Sequence, residues 1–320
     1  MRVLSRRQSP GRKSGAISLP IMFKSAAIFK ITMPEIGASA AFEQAQPIEP
    51  FTPCGLTEER SVGWVPPRGH ENGAMIEYIN GQIIMRLMIE TKTVPAQAIN
   101  DVVDAECKAI EAMTGRKPGK KEKRDLKDDA KLNLLPHAFP ARAAVTVWID
   151  LANHRLVLDT SSQSRCDTVV TKLVQLIDGL EVQYLQTNTS PTAAMASWLF
   201  DNDTLGLDFS IGRACVLKAS DETKAVVRYG RHRLDTDEVH QHIKEGKMPT
   251  ELALNYMDRV DFVLTDDGNI TKLNFLDCVF EDRDKAVDNF DADVAIVTGE
   301  LTRVIDGLLE ELGGMEGGAA

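Results

Sequence analysis

The segment AMIEYINGQIIMRLMIE, residues 74–90, decides the fold because it contains the clearest local signal in the chain. Asn80 and Gly81 form a dipeptide that favours a type I′ turn, which joins two antiparallel strands through two residues with positive φ. Apolar side chains then alternate with others over residues 83–89, which places them on one face of the second strand. The segment therefore predicts a β-hairpin with one buried face.

Two amphipathic helices follow this hairpin. Apolar residues recur at helical spacing between Pro95 and Gly115, and a second helical pattern runs from Lys120 to Leu135 and stops at Pro136. Because only residues 115–119 separate the two patterns, they predict an αα-hairpin.

Strands and helices alternate irregularly over the rest of the chain. Strands are predicted over residues 23–32, 144–150, 155–160, 181–187, 209–219, 224–229, 259–265 and 270–276. Helices are predicted over residues 37–46, 164–180 and 192–200, from an Asp235–Glu238 capping box to Gly246, and around Leu301–Leu312. Residues 51–69 are too rich in proline and glycine to predict regular structure. This order favours an α+β fold, with mixed sheets, β-hairpins and a protruding helical hairpin, over a doubly wound parallel sheet.

The same pattern predicts four regions along the chain. Residues 1–21 are a disordered basic tail or a mis-assigned start, residues 22–95 with 140–190 a central α+β domain, residues 96–139 a helical tip domain, and residues 191–320 a base α+β domain.

Composition excludes several classes of protein. The 320 residues are 43% hydrophobic and 26% charged, which does not fit a collagen-like, disordered or membrane-spanning chain. The first 21 residues lack the apolar core of a secretory signal. Five widely spaced cysteines, an odd number, indicate reduced thiols in the cytoplasm.

The net charge of −10 hides a strong polarity along the chain. Residues 1–30 contain seven bases and no acid, and residues 116–131 contain eight bases and four acids. Residues 258–300, in contrast, contain twelve acids and four bases. A polarised chain can present a basic surface to nucleic acid despite its acidic total.

Motifs for catalysis are missing from the sequence. It contains no Gly-rich nucleotide loop, zinc-protease motif, nucleophile elbow or Cys-His pairing, so no catalytic residue, metal ligand or cofactor is predicted. The acids of residues 277–293 could supply carboxylates for Mg²⁺, as in nucleases, although a solvated acidic face is the favoured interpretation.

The helix over residues 120–135 carries a basic stripe. Lys120, Arg124, Lys127 and Lys131 are spaced i, i+4, i+7 and i+11, so they lie within about 60° of one another over ~16 Å of helix. Such a stripe can follow several phosphates of one strand, and the alternative is a solvated helix face supported by Asp–Lys pairs.

A second basic cluster follows the strand predicted over residues 224–229. It comprises Arg228, Arg231 and Arg233 beside Tyr229, a combination suited to phosphate contact and base stacking.

Several motifs in one order resemble the RdgC family of bacterial recombination-associated, nucleoid-bound proteins. They are FTPCG (51–55), GWVPP (63–67), NGQI (80–83), LKDD and LLPHAFP (126–140), WID (148–150), TDDGNITKLNF (265–275), and FDAD and TGEL (290–301). The resemblance runs from about residue 22 to residue 314.

The resemblance implies a homodimer closed into a ring around a basic hole, without enzymatic activity. Members bind double- and single-stranded DNA with little sequence preference and restrain RecA-driven strand exchange, so a cytoplasmic, nucleoid-associated role in recombination and replication is expected. Carried over to this chain, Arg116 and Arg231 occupy basic positions associated with DNA contact. Phe139, with Leu134 and Leu135 beside it, occupies the position associated with the helical dimer contact.

The leading hypothesis is therefore a DNA-binding ring that limits RecA activity and has no membrane partner. Its predicted DNA contacts are Arg116, Lys117, Lys120, Lys121, Arg124, Lys127, Lys131, Arg228, Arg231 and Arg233. The alternatives are an acidic, DNA-mimicking protein that binds RecA directly and a metal-dependent nuclease.

Overall fold

The computed structural model describes residues 23–34, 41–42, 44–281 and 290–316. The predicted basic tail, half of the helix predicted over residues 37–46, and three acids of the 277–293 segment lie outside these ranges.

Helices and antiparallel sheets combine in the predicted α+β class. The strands are β1 (Ala27–Thr32), β2 (Arg60–Trp64), β3 (Glu77–Ile79), β4 (Gln82–Lys92), β5 (Pro140–Asp150), β6 (Arg155–Leu158), β7 (Glu181–Tyr184), β8 (Phe209–Ala219), β9 (Val226–Gly230), β10 (Lys247–Tyr256), β11 (Val260–Thr265) and β12 (Ile270–Phe275). The helices are α1 (Ala96–Thr114), α2 (Lys120–Leu134), α3 (Gln163–Leu176), α4 (Pro191–Phe200), α5 (Asp237–Lys244) and α6 (Phe290–Glu311).

The first sheet includes the hairpin that the Asn80-Gly81 dipeptide predicts. Its strand order is β2-β4-β5-β6-β1-β7, and β3 pairs with the first part of β4. Asn80 and Gly81 have φ angles of 49° and 78°, as a type I′ turn requires, so this prediction is confirmed. Side chains alternate between two cores: Ile83 packs in a core with α3, whereas Ile84 packs on the opposite face.

Helix α6 connects the first sheet to the second. The second sheet has the order β12-β11-β10-β8-β9, and its inward side chains include Leu252 and Leu264. These residues share one apolar core with Leu301 of α6 and with Ile84 and Trp148 of the first sheet. Both sheets are therefore held by the same buried helix.

Two strands are absent from the sequence-based prediction. Strand β2 forms within residues 51–69, where Gly63 allows close backbone approach: a Cβ at this position would lie 2.4 Å from the Cα atom of Phe51. Strand β10 includes Pro249, a residue that argues against a central strand, and its pairing with β8 shifts register directly after this proline.

The start of helix α5 also differs from the prediction. Thr236 is its N-cap residue, and the predicted Asp235–Glu238 capping box is wrong. Both carboxylates have other partners, since Asp235 pairs with Arg233 and Glu238 accepts a hydrogen bond from Tyr229.

The predicted αα-hairpin is confirmed as α1 and α2. Gly115 ends α1 in the left-handed region, at φ 69°. Few residues of the hairpin are buried: Val103 of α1, Pro118 between the helices in sequence, Ala130 of α2, and Leu135 directly after α2. The hairpin leaves the first sheet after β4 and returns at β5. These element ends coincide with the boundaries proposed for a tip domain, while the division into domains stays a prediction.

Candidate nucleic-acid interface

The basic stripe of α2 is solvent-exposed over most of its length. Lys120, Arg124 and Lys127 are exposed, and the ion pairs found among the described residues include none of the three. Lys121, beside them, is likewise exposed and lacks an ion-pair partner in that part of the chain. Their charges are therefore available to an external anion, which would displace no acid of the described ranges.

Basic residues at the C-terminal end of the stripe and just before its N-terminal end form ion pairs with acids. Lys131 contacts Glu59 through a 2.7 Å ion pair that connects α2 to the segment before β2. At the other end, Arg116 donates hydrogen bonds of 2.8 and 3.3 Å to Glu122, which also accepts one from the backbone of Gly119. The hydrogen bond from Arg116 lowers the pKa of Glu122 below its ordinary value, so this pair stays charged near neutral pH.

Lys117 lies 4.0 Å from Glu111 and is largely exposed, so its contact is weak. An anion that binds at Arg116 has to compete with Glu122, whereas one that binds along Lys120–Lys127 meets no such competitor among the described residues. The centre of the stripe is thus its most available part.

The second basic cluster lies on and beyond edge strand β9. Arg228 is exposed, and Arg231 has a left-handed backbone with φ 57°. Arg233 forms a two-point ion pair with Asp235, with distances of 3.0 and 2.5 Å, which lowers the pKa of that carboxyl. The cluster therefore offers two arginines freely and one that is already neutralised.

Tyr229 is held firmly rather than being free to stack. Its hydroxyl donates a 3.1 Å hydrogen bond to Glu238, and its ring lies 5.7 Å from that of His232 and 6.4 Å from that of His242. Burial and the nearby Glu238 raise the pKa of Tyr229 to about 12, so the hydroxyl keeps its proton.

Arg213 of β8 is a basic residue that the sequence reasoning missed. It is exposed, and its carbonyl accepts a 3.1 Å hydrogen bond from the backbone of His232, so it lies against the loop that carries Arg231 and Arg233. Eighteen positions separate Arg213 from Arg231 along the chain, and only the pairing of β8 with β9 brings them together. A strand-pairing prediction would have been the necessary signal.

The residues proposed for self-association differ in exposure. Phe139 is 93% exposed directly before β5, and Leu134 is half-buried. Leu135 is completely buried within the chain, so its side chain packs the base of the hairpin and faces no partner in this conformation. The dimer contact itself stays a prediction.

Two of the four described acids of the 277–293 segment are held within the fold, whereas Asp277 and Glu281 are exposed. Asp291 forms a 2.6 Å ion pair with Arg68, and Asp293 is buried in the first turn of α6. Within the described ranges, no three His, Cys, Asp or Glu side chains are grouped so as to hold a metal ion. His240 and His242 of α5 are half-buried.

The described helices include none that is long and apolar enough to traverse a lipid bilayer. The five cysteines are free thiols, and burial raises the pKa of Cys166 to about 11 and that of Cys215 to about 12.

Comparison with known proteins gives similarity over nearly the whole chain. A family model described as "Putative exonuclease, RdgC" matches residues 21–315. A recombination-associated protein RdgC of Bordetella pertussis is 36% identical over 296 residues, which cover 91% of this chain and 98% of the relative. The protein of the same name from Herminiimonas arsenicoxydans is 37% identical over 296 residues, with the same coverage. That of Dechloromonas aromatica is 36% identical over 299 residues, covering 91% and 97%.

Proposed function

Because the chain belongs to the RdgC family and has a recombination-related role, we propose that it performs this role by binding DNA without sequence preference. The proposal covers double- and single-stranded DNA, bound in the hole of a ring-shaped homodimer that restrains RecA-mediated strand exchange. It also holds that the protein acts without catalysis, in the cytoplasm and on the nucleoid.

The exposed centre of the α2 stripe is the single observation that best supports DNA binding. Lys120, Arg124 and Lys127 share one helix face, and none has an acid partner among the described residues. Contacts from a regular helix face to phosphates neutralise charge without reading bases, which is what sequence-independent binding requires.

A ring explains how a chain of net charge −10 can bind DNA. Most of the acids would then face outward, and the basic hairpin would face the hole. Repulsion between the acidic exterior and phosphates would disfavour side-on binding and favour DNA that passes through the ring. Two different self-contacts per subunit are needed for closure, and Phe139 is the proposed residue at one of them.

Salt dependence tests the DNA contact directly. We expect the logarithm of the association constant to fall linearly with the logarithm of salt concentration, with a slope of about −0.9 per phosphate contacted. Fluorescence anisotropy with a labelled duplex of random sequence, at five salt concentrations, measures this slope. The double variant Lys120→Ala/Lys127→Ala should reduce the slope by ~2 and weaken all sequences equally.

A matched control removes the same charge elsewhere. Lys172 of α3 and Lys224, before β9, lie outside both proposed clusters. The variant Lys172→Ala/Lys224→Ala should keep the parental slope. Equal slopes for the two double variants would contradict a role for the α2 stripe.

Two alternatives have separate readouts. The family description names an exonuclease, so degradation of DNA over hours with Mg²⁺ or Mn²⁺ would favour a nuclease and oppose the non-enzymatic proposal. The local excess of acids over residues 258–300 favours direct RecA binding as the other alternative. It would be supported if a variant that no longer binds DNA still inhibits RecA strand exchange.

A further inference from the structure

A cleft of about 510 Å³ lies where α4 ends beside the start of β8. Residues 233–235, between β9 and α5, close its other side. Six lining residues matter for its chemistry: Phe200, Asp201, Asn202, Arg213, Arg233 and His240. The cleft thus combines an aromatic surface, two guanidinium groups and polar groups that can accept hydrogen bonds.

Phe200 supplies a half-open aromatic ring at the end of α4. It is 49% exposed, although phenylalanine normally loses most of its exposed surface on folding. His240 lies beside it, with 5.2 Å between ring centroids, and donates a 3.0 Å hydrogen bond from Nε2 to the carbonyl of Leu199. This bond fixes the imidazole, and the imidazole in turn limits the positions open to the Phe200 ring.

One cation lies beside this ring, and another lines the cleft. The Lys244 ammonium lies 5.4 Å from the centroid of Phe200 and is otherwise exposed. Arg213 lines the cleft and, within the described residues, is in no ion pair. Arg233 is already paired with Asp235, so Arg213 and Lys244 are the cations that can accept a new anion.

The acids of the cleft determine where a phosphate and a base could each bind. Asp201 and Asp203 line it beside Asn202, close to Phe200 in sequence. Carboxylates repel phosphates but accept hydrogen bonds from the amino groups of bases. A nucleotide would therefore place its base among the polar groups near Phe200 and its phosphate near Arg213.

We propose that this cleft binds an unpaired base of single-stranded DNA, stacked on Phe200 with the adjacent phosphate at Arg213. The inference rests on the proposed DNA-binding function and adds to it a site that distinguishes single strands from duplex. Every base has a π-face, so stacking on an aromatic ring tolerates any sequence. The bases of a duplex are already stacked and paired, and opening them is unfavourable, so duplex should bind without using the cleft.

The test compares Phe200→Ala with the parent protein on two probes, a labelled single-stranded 20-mer and the same sequence as a duplex. We expect the dissociation constant for the single strand to rise about 5- to 100-fold, since stacking on one aromatic contributes ~1–3 kcal/mol per base. The value for the duplex should change less than twofold. A single strand containing 2-aminopurine should change its fluorescence on binding the parent protein and much less on binding Phe200→Ala.

Two further variants keep the result interpretable. Phe200→Tyr retains an aromatic ring and should bind single strands as the parent does, even if Phe200→Ala is less stable. Leu207→Ala removes a fully exposed leucine from the loop before β8 and should change neither constant.

Several outcomes would overturn the inference. Equal losses on both probes, or no loss on the single strand, would show that Phe200 does not stack on an unpaired base. Failure of the parent protein to bind either probe would instead refute the proposed function, before any variant is examined.

Discussion

At the scale of single residues, buried charged groups explain what some of the sequence motifs do. Glu90 is 1% exposed, and it accepts a 2.6 Å hydrogen bond from Arg142, its partner in the β4–β5 register, and a 2.8 Å bond from the backbone of Cys54. These bonds, that from Arg142 foremost, lower the pKa of Glu90. The FTPCG motif therefore includes a backbone donor to a buried carboxylate, which gives the motif a structural role.

Asp159 is a half-buried carboxyl whose pKa is shifted in the opposite direction. Burial raises its pKa, although its Oδ1 accepts hydrogen bonds of 2.9 and 3.1 Å from the backbones of Lys24 and Ser25. The folded chain therefore holds this proton to a higher pH than the unfolded chain. The carboxyl favours folding below its unfolded pKa and loses that contribution as the pH rises through its folded pKa.

We accordingly expect Asp159→Asn to be more stable than the parent protein at pH 7. The carboxamide oxygen can still accept both backbone hydrogen bonds, and no charge has to be buried. The difference should shrink below about pH 4, where the carboxyl is protonated in both states. Urea unfolding at pH 7 and at pH 3.5 measures this, with the exposed Asp128→Asn as control. A loss of stability at pH 7 would show that the ionised form of Asp159 is favourable.

At the scale of elements, the sequence predicts those whose signals are local. The Asn80-Gly81 hairpin, the helix ended by Gly115 and the helix stopped at Pro136 are all encoded within a few residues, and all three are present. Strand β10 was missed because Pro249 opposes it locally, whereas its pairing with β8 involves residues distant in sequence. Pairing also explains why Arg213 was missed, since β8 and β9 bring it to the second basic cluster.

Leu135 lies at the base of the helical hairpin and allows a test at this scale. It is completely buried in the short 3₁₀ turn between α2 and β5. We expect Leu135→Ala to reduce the free energy of unfolding by about 2–5 kcal/mol, because it removes apolar contacts and leaves a cavity. Urea unfolding followed by circular dichroism gives the value.

The same substitution at Leu132, which is 50% exposed on α2, is the control. Leu132→Ala should change the free energy of unfolding by less than about 0.5 kcal/mol, as surface substitutions usually do. Similar losses for Leu132→Ala and Leu135→Ala would mean that burial at the base of the hairpin does not stabilise it.

At the scale of the whole molecule, the fold separates a packed body from the helical hairpin, and the two parts would have different roles in the proposed ring. Helix α6 and the two sheets share one apolar core, which makes a rigid body. The hairpin extends from this body with few buried residues of its own. Charge follows the same division over the described residues, because the basic stripe is on the hairpin, whereas residues 258–281 and 290–300 of the acidic segment are on the body. The sequence predicts this charge pattern directly, but self-contacts depend on surfaces formed by several elements.

Phe139 tests whether the ring closes through the base of the hairpin. Its side chain is 93% exposed, so Phe139→Ala should leave the stability of the isolated subunit within about 0.5 kcal/mol of the parent. In an aromatic dimer contact the same change should cost ~2 kcal/mol or more, roughly 30-fold in affinity. A ring has a second self-contact, however, so the dimer can persist while it opens at this one.

An open dimer and a closed ring have the same molecular mass, so retention on circular DNA is the better way to distinguish them. A closed ring around circular duplex is topologically linked and should resist a high-salt wash, whereas on linear duplex it slides off the ends. We expect the parent protein to show this difference and Phe139→Ala to lose it. Met113→Ala, which removes an 86% exposed side chain near the end of α1, should behave as the parent does. Equal retention of the parent on circular and linear DNA would contradict the ring itself, and normal retention of Phe139→Ala would place the closing contact elsewhere.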